Sequence, residues 1–300
     1  MNKFTINVCP VCGGTHLERT MSCTDSYASG EQFDLYRCTD CGFVFTQDAP
    51  VEAEIGRYYE TPDYISHSDT RKGAMNAIYH QVRQYMLGSK ARLVMRAAHG
   101  TAKRLLDIGT GTGYFANAMD GRGWTVQAVE KNPQARAFAK EHFGLDVKPE
   151  SALKEFESGS FDIITLWHVM EHLEHLNETW ERLGELLAPK GALVVAVPNC
   201  ASYDAKKYGA DWAAYDVPRH LWHFTPATIS RLAAKHGFVM TESHPMPFDA
   251  FYVSMLTEKH KGNSNSFLKG MAVGFAAWWS AQGNKDRSSS MIYVFRKKQR

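Results

Sequence analysis

Three glycines alternate directly behind an acidic strand end in the run LLDIGTGTGYF, residues 105–115. The leucines and the isoleucine predict a short buried strand. Gly109, Gly111 and Gly113 permit a tight turn with positive φ and a close approach of the backbone to a ligand. A helix that begins near Tyr114 would direct its N-terminal amides at the same ligand. The run therefore predicts a binding site for a nucleoside-type ligand.

Two acidic residues indicate which ligand this is. Asp107 ends the strand, and its carboxylate would repel a pyrophosphate but attract a ligand that carries an ammonium and a sulfonium group. Glu130 ends the next predicted strand, about 20 residues after the glycines, where a carboxylate can accept hydrogen bonds from both ribose hydroxyls. S-adenosylmethionine carries all of these groups. Nicotinamide dinucleotides bind to similar glycine turns, but Asp107 disfavours them.

Four of the six cysteines form two CxxC pairs, each followed by glycine: Cys9, Cys12, Cys38 and Cys41. Four thiolates at this spacing predict a tetrahedral zinc site without an open coordination position, so we expect a structural Zn²⁺. Disulfides are a weaker alternative because nothing in the sequence indicates secretion. A redox role would need one pair rather than two. Cys23 and Cys200 lie outside both pairs.

Strands and helices alternate from residue 104 onward, which predicts a doubly wound α/β domain. The predicted strands are rich in Val, Ile and Leu, as expected for strands buried on both faces: residues 104–108, 125–130, 161–167 and 192–197. Asn132 followed by proline predicts one helix start, and Thr225 predicts another. Residues 238–244 and 291–296 predict a final antiparallel pair of strands.

Five runs resemble the class I S-adenosylmethionine-dependent methyltransferases, in particular the branch that contains the ubiquinone-biosynthesis O-methyltransferases. These runs are DIGTGTG (107–113), VEKNP (129–133), FDIITLWHVMEHLEH (161–175), LLAPKGALVVAVPN (186–199) and PRHLWHFT (218–225). The resemblance implies a Rossmann-like, seven-stranded and mostly parallel sheet, with the cofactor across the carboxyl ends of the first strands. The residues expected to bind the cofactor are Asp107, Gly109, Thr110, Gly111, Gly113, Tyr114, Glu130, Lys131, Trp167 and His168.

A hydroxyl or amine acceptor must lose a proton when it is methylated, so the site needs a base. His168 is the first candidate, because it follows a strand end beside the cofactor and an imidazole titrates near neutrality. It could instead only border the cofactor. His220 and His223, in the PRHLWHFT run, are further candidates. Arg219 in the same run could bind an anionic substrate or hold the loop through an ion pair with Asp216.

A catalytic metal is an alternative for the same region. The ubiquinone-pathway enzymes that this chain resembles use a cluster of acidic residues and histidine here for magnesium, which indicates Glu171, His172 and His175 in this sequence. His168 replaces the first acid of that pattern, so metal dependence stays open.

The predicted organisation is a zinc ribbon at residues 1–50, a linker and cofactor-capping helix at 51–100, and a methyltransferase domain at 101–300. Apolar residues spaced on one face predict the capping helix from about Lys72 to Ala98. The segment before it is aromatic and could cover the cofactor pocket or pack the ribbon onto the main domain. Its members are Tyr58, Tyr59, Tyr64 and His67.

An insertion at residues 249–286 precedes the last strand. Residues 267–281 (FLKGMAVGFAAWWSA) are apolar, and Lys269 is their only charged residue. This stretch falls short of a membrane span. A lid over an apolar substrate is the favoured interpretation, and packing on the core and a position on a membrane surface are the alternatives.

The net charge of +2 over 300 residues gives no electrostatic argument for nucleic acid. An RNA methyltransferase that binds its substrate through the zinc ribbon is nevertheless the alternative function, because some ribosomal RNA enzymes join such a ribbon to this fold. Against it, no Asn/Asp-Pro-Pro-aromatic element follows the strand at 161–167. A non-catalytic binding module is disfavoured by the intact Asp107, glycine turn and Glu130.

The N-terminus lacks the apolar segment of a signal peptide, and no run reaches the roughly 18 apolar residues of a spanning helix. We therefore expect a soluble, cytoplasmic enzyme that transfers a methyl group to oxygen or nitrogen of a small molecule. A sugar, lipid or secondary-metabolite intermediate would fit. The sequence leaves the acceptor and the oligomeric state open.

Overall fold

The chain begins with small antiparallel sheets, one of which is completed by a strand from much later in the sequence. The computed structural model describes residues 2–59, 74–98 and 103–298. The N-terminal strands are β1 (Lys3–Phe4), β2 (Leu17–Thr24), β3 (Gln32–Cys38), β4 (Val44–Thr46) and β5 (Ala49–Pro50). β1 pairs with β5, while β2, β3 and β4 form a meander whose free edge is completed by Trp222–His223, nearly 180 residues later. The predicted ribbon therefore does not form a separate sheet.

Helix α1 (Ala74–Ala97) follows and leads into a six-stranded central sheet. The strands of this sheet are β6 (Arg104–Ile108), β7 (Thr125–Val129), β8 (Phe161–Trp167), β9 (Leu187–Pro198), β11 (Phe238–Pro245) and β12 (Ser290–Lys297), and Trp222–His223 is β10. Their order is β11-β12-β9-β8-β6-β7, parallel from β9 to β7, with β12 and β11 antiparallel. The predicted doubly wound fold and the final antiparallel pair are confirmed.

The expected seventh strand is reduced to a single bridge in the described part of the chain. Lys148 forms an isolated parallel bridge with Val129 at the outer edge of β7. Pro149 follows in an extended conformation, and the chain then turns away into a 3₁₀ helix at Glu150–Lys154. The ladder therefore stops after one residue, and the sheet has six strands rather than seven.

Helices flank both faces of the sheet, and two of them begin at the predicted capping residues Asn132 and Thr225. They are α2 (Tyr114–Asp120), α3 (Pro133–Phe143), α4 (Leu176–Leu186), α5 (Tyr203–Tyr208), α6 (Pro226–Lys235), α7 (Asp249–His260) and α8 (Ser266–Gly283). The Asn132 side chain accepts hydrogen bonds from the first turn of α3, and Thr225 and Thr228 form a capping box at α6. None of the described helices is long and apolar enough to cross a bilayer.

The core is continuous from the central sheet into the N-terminal sheet. Phe43 and Phe45 belong to the same buried cluster as the strand residues Leu193 and Val195. Trp222 belongs to this cluster too, and its ring lies 6.0 Å from that of Phe43. Burying large aromatic rings between the two sheets ties them together, because removing such rings from water is strongly favourable.

A buried arginine fixes the same junction. Arg219 is 2% exposed and pairs with Asp25 of the N-terminal region at 3.0 Å and with Asp216 of its own loop at 2.6 Å. It also donates to the carbonyl oxygen of Tyr58 at 2.7 Å. The loop-holding interpretation of Arg219 is therefore correct, and an anionic substrate has no access to the buried guanidinium.

We expect Arg219→Met to destabilise the fold by roughly 3–5 kcal/mol, because it leaves the carboxylate of Asp25 buried without its cation. Urea denaturation followed by circular dichroism measures this loss. Arg19→Met is the matched control, since Arg19 pairs with Asp34 at the surface and should barely shift the midpoint. Equal shifts in the two variants would contradict the assignment.

Candidate functional site

The three glycines after β6 have different structural roles. All three have positive φ, at 67° for Gly109, 58° for Gly111 and 82° for Gly113. A Cβ atom at Gly109 would collide with Val169, and one at Gly113 would lie 3.0 Å from the Cβ of Ala139. A Cβ at Gly111 would meet nothing within 4 Å. Gly109 and Gly113 therefore allow close packing, while Gly111 presents bare backbone to open space where a ligand can approach.

Asp107 lies at the floor of this turn with half of its carboxylate unbonded. The side chain is 1% exposed, and Oδ1 accepts a hydrogen bond from the Thr165 hydroxyl at 2.6 Å. Oδ2 is buried and has no hydrogen-bond partner among the described residues. Burial raises the pKa of Asp107 to about 6, although the hydroxyls of Thr110 and Thr165 and the ammonium of Lys90 oppose this shift. A buried acceptor of this kind needs a donor, and a cationic group would satisfy it best.

Glu130 spans the glycine turn from the end of β7. Its Oε2 accepts from the backbone N–H of Gly111 at 2.8 Å, and its Oε1 accepts from that of Asn132 at 2.8 Å. Each carboxylate oxygen has two lone pairs, so both oxygens keep one for further donors such as ribose hydroxyls. The neighbouring Lys131 points away to an ion pair with Glu52 at 2.6 Å.

Helix α1 contacts the carboxyl end of β8 and the start of α2. Lys90 stands over the ring of Trp167 at 4.4 Å, and Arg83 stands over the ring of Tyr114 at 4.1 Å. Both contacts place cations on aromatic faces. Of the aromatic residues that could cover the pocket or pack the ribbon onto the main domain, Tyr58 and Tyr59 are described, whereas Tyr64 and His67 lie outside the described residues.

His168 stands between two carboxylates. Its Nε2 lies 3.2 Å from Oδ2 of Asp249, and its Nδ1 lies 3.4 Å from Oε1 of Glu171. Burial opposes protonation, but the two carboxylates outweigh it and raise the pKa of His168 to about 9. The imidazole is therefore protonated at neutral pH. This environment favours a fixed positive charge over the expected role of proton acceptor.

Glu171, His172 and His220 come together on the other side of His168. One ligand atom from each lies within 4.8 Å of the others. Nδ1 of His172 donates to the carbonyl oxygen of Arg219 at 3.0 Å, and Nδ1 of His220 donates to that of Ala214 at 2.9 Å. In its neutral form, each imidazole therefore carries its lone pair on Nε2.

Glu171 is fully buried, and neither of its oxygens has a hydrogen-bond partner in the described ranges. Burial, assisted by His220, lowers the pKa of His172 to about 4, so His172 is neutral near pH 7. Two imidazole nitrogens and a carboxylate could accept a proton or hold a divalent cation. The expected third member, His175, is exposed and lies outside this cluster, where His220 takes its place.

His223 has a different environment from the other candidate bases. It is buried, and its Nε2 lies 3.0 Å from the hydroxyl of Thr46 in β4. Burial lowers its pKa to about 3. The structure therefore places His223 in the junction between the two sheets, which favours a packing role over catalysis.

The four cysteines of the CxxC pairs converge at the base of the N-terminal sheet. Their sulfurs all lie within 4.8 Å of one another, with 3.5 Å between Cys9 and Cys41 and 3.5 Å between Cys12 and Cys38. None of them is in a disulfide. A tetrahedron with Zn–S bonds of about 2.3 Å has sulfurs roughly 3.8 Å apart. The four sulfurs thus fit a zinc ion.

A methyltransferase-domain family model matches residues 79–243, more than half of the chain. Together with the sheet order and the site at the carboxyl ends of β6 and β7, this match shows that the chain belongs to the class I S-adenosylmethionine-dependent methyltransferases.

Ubiquinone biosynthesis O-methyltransferases are among the relatives of this chain. The one from Azorhizobium caulinodans is 28% identical over 49% of this chain and 62% of its own length. The one from Caulobacter sp. strain K31 is 35% identical over 40% of this chain and 52% of its own length. The chain thus spans just over half of the length of these relatives. A methyltransferase structure from Archaeoglobus fulgidus aligns with a TM-score of 0.48 at 16% identity, over 78% of this chain and 99% of that chain.

Proposed function

We propose that this protein transfers the methyl group of S-adenosylmethionine to an oxygen or nitrogen atom of a small molecule. The unbonded Oδ2 of buried Asp107 carries the proposal, because it offers a negatively charged acceptor beside an open glycine turn. In this proposal Asp107 binds the amino group of the cofactor and Glu130 binds its ribose.

The charges around His168 also suit a cationic cofactor. Asp249 and Glu171 are ionised, because the His168 imidazolium holds the pKa of each below its usual range despite burial. At neutral pH Asp107, Asp249 and Glu171 carry three negative charges against the two positive charges of His168 and Lys90, which leaves this cluster with a net negative charge. Such a cluster attracts a sulfonium more strongly than a neutral cofactor.

Methyl transfer is a displacement at carbon. The acceptor atom attacks the methyl carbon, the C–S bond breaks, and the sulfonium becomes the neutral thioether of S-adenosylhomocysteine. The acceptor proton must then leave, and we assign it to Nε2 of His172, which is neutral and carries a free lone pair. Correct placement of acceptor and donor supplies most of the acceleration, and the base adds to it.

An acceptor of low molecular weight is favoured over RNA by the charge of the chain. An RNA-binding surface requires many basic contacts to phosphates, and a net charge of +2 provides no such excess. The O-methyltransferases among the relatives are named for ubiquinone biosynthesis, which agrees with a small acceptor.

The four-cysteine cluster is proposed to hold a structural zinc ion. Four thiolates fill a tetrahedral coordination sphere, so no position is left for a substrate. The ion would hold the turns before β2 and after β3 together, and β4 follows the second turn directly. Its task would therefore be to fix β4, against which β10 pairs.

The first test concerns the cofactor. Titration calorimetry should detect binding of S-adenosylmethionine and S-adenosylhomocysteine. Asp107→Asn and Glu130→Gln should each weaken binding by roughly tenfold or more, because each loses a charge-assisted hydrogen bond. Asp120→Asn, an exposed carboxylate at the end of α2, is the control and should bind normally. Binding of NADH without binding of S-adenosylmethionine would refute the proposal.

The second test concerns the base. Purified enzyme and labelled cofactor are incubated with cell extract to find the acceptor. With that acceptor, His172→Gln should lower kcat by about 10²–10⁴ while the cofactor Kd stays unchanged, and His175→Gln should leave both unchanged.

The pH profile separates the two histidines. With His172 as base, kcat should be nearly constant from pH 6 to 9, because the His172 pKa is about 4. If His168 were the base, kcat would rise about tenfold per pH unit towards pH 9. Label that appears only in ribonuclease-sensitive material would contradict the small-molecule acceptor.

The third test concerns zinc. Elemental analysis should find about one zinc ion per chain. Cys38→Ser should lose the metal and lower the melting temperature, whereas Cys23→Ala, which removes a buried thiol outside the cluster, should retain the metal. A wild-type protein without zinc, or a Cys38→Ser variant that keeps it, would exclude this assignment.

A further inference from the structure

Helix α8 packs with its small residues inward and its large apolar residues outward. The buried side consists of Gly270, Gly274, Ala277 and Ala281. A Cβ atom at Gly270 would lie 2.5 Å from the Cα of Met255, and one at Gly274 would lie 2.7 Å from the Cα of Phe251. The backbones of α7 and α8 are therefore in close contact, and no large side chain of α8 fits between them.

The large side chains of α8 consequently face outward and form one continuous surface, here called the α8 apolar face. Its members are between 37% and 67% exposed: Phe267, Leu268, Met271, Phe275 and Trp279. At 3.6 residues per turn they fall within about 120° of the helix circumference. The ring of Phe275 lies 5.7 Å from Trp278 and 6.3 Å from Trp279. An exposed apolar surface of this extent marks an interaction site.

The exposed charges around this face are mainly positive. Residues 249–287 contain five lysines and arginines and three acidic residues. The basic ones are all exposed, and one of them, Lys261, pairs with Asp211: Lys259, Lys261, Lys269, Lys285 and Arg287. Of the acidic ones, Asp249 pairs with His168, and Glu258 is buried and accepts from Tyr208 at 3.1 Å. Only Asp286 is exposed.

We propose that the hairpin of α7 and α8 binds the surface of an anionic lipid bilayer, with the α8 apolar face in the interface and the basic residues at the headgroups. Tryptophan and lysine at the edges of an apolar face are typical of helices that lie in this zone. A second copy of this chain fits less well, because paired α8 apolar faces would bring basic ends of both copies together.

The docked surface adjoins the candidate active site. Asp249 in the first turn of α7 pairs with His168, and Phe248 before it packs edge-to-face on Tyr85 of α1, with 5.7 Å between the rings. A bilayer beneath the hairpin would therefore lie close to the helix end that contacts His168.

Vesicle flotation of the full chain tests the proposal. Wild-type protein should float with vesicles of phosphatidylcholine and phosphatidylglycerol, and less with phosphatidylcholine alone or at high salt. The double variant Phe275→Ser, Trp279→Ser should bind at least about tenfold more weakly. Val239→Ser, which removes an exposed apolar side chain on β11, is the matched control and should float like the wild type.

Charge reversal at Lys285 and Arg287 to Glu should reduce binding to the anionic vesicles and its salt dependence. These side chains are exposed, so each variant should retain its circular dichroism spectrum and its S-adenosylmethionine affinity, which keeps this test separate from the proposed function. Absence of wild-type flotation, or equal flotation of the serine double variant, would overturn the proposal. Light scattering that shows a dimer dissociated by the serine substitutions would do the same, in favour of a second copy.

Discussion

The pairing of β10 with β4 is the contact on which the arrangement of the site depends. β10 is only two residues long, yet it connects the N-terminal sheet to the loop that carries Arg219 and His220. Thr46 in β4 holds that loop in place through two hydrogen bonds. Its backbone N–H donates to the carbonyl oxygen of Leu221 at 2.9 Å, and its hydroxyl donates to the carbonyl oxygen of His220 at 2.7 Å. The N-terminal sheet therefore positions an imidazole of the main domain through backbone hydrogen bonds.

Buried charge lies at two places in the candidate site. Beside the glycine turn, Asp107 lies at the end of a parallel strand next to Thr165, where both neighbouring strands exclude water. At the other place, His168 adopts φ of 58°, a conformation that costs energy for a residue with a Cβ, and is held there between Asp249 and Glu171. Strain of this kind persists only where surrounding contacts compensate it.

Local sequence signals predicted much of the fold. The Val- and Ile-rich strands, the caps at Asn132 and Thr225, and the convergence of four cysteines all depend on residues close in sequence. The sequence indicated Asp107 as a candidate ligand-binding residue, because a strand, an acid and a glycine turn are adjacent there. The seventh strand was not predicted correctly, because the chain turns into a 3₁₀ helix directly after Pro149 and leaves a single bridge at Lys148.

Long-range partners were beyond the sequence. Nothing near Asp25 indicates Arg219, which is 194 residues away, and nothing near His168 indicates Asp249. His220 was not predicted in the cluster in place of His175 for the same reason. The loop that carries His220 is held by β10, and a strand of two residues has no recognisable sequence pattern. The sequence did not predict which side of α8 faces outward, because apolar residues occur on all sides of this helix. Only its glycines indicate the side on which another backbone packs.

The raised pKa of Asp107 links the stability of the fold to its ligand. Folding brings a carboxyl group that ionises near pH 4 in the unfolded chain into a setting where it ionises near pH 6. Its ionised form therefore opposes folding, and the folded state loses stability as the pH rises through this interval. A bound ammonium group removes that penalty. If the cofactor binds Asp107 as proposed, part of its binding energy would offset this penalty, and proton release should accompany binding near pH 6.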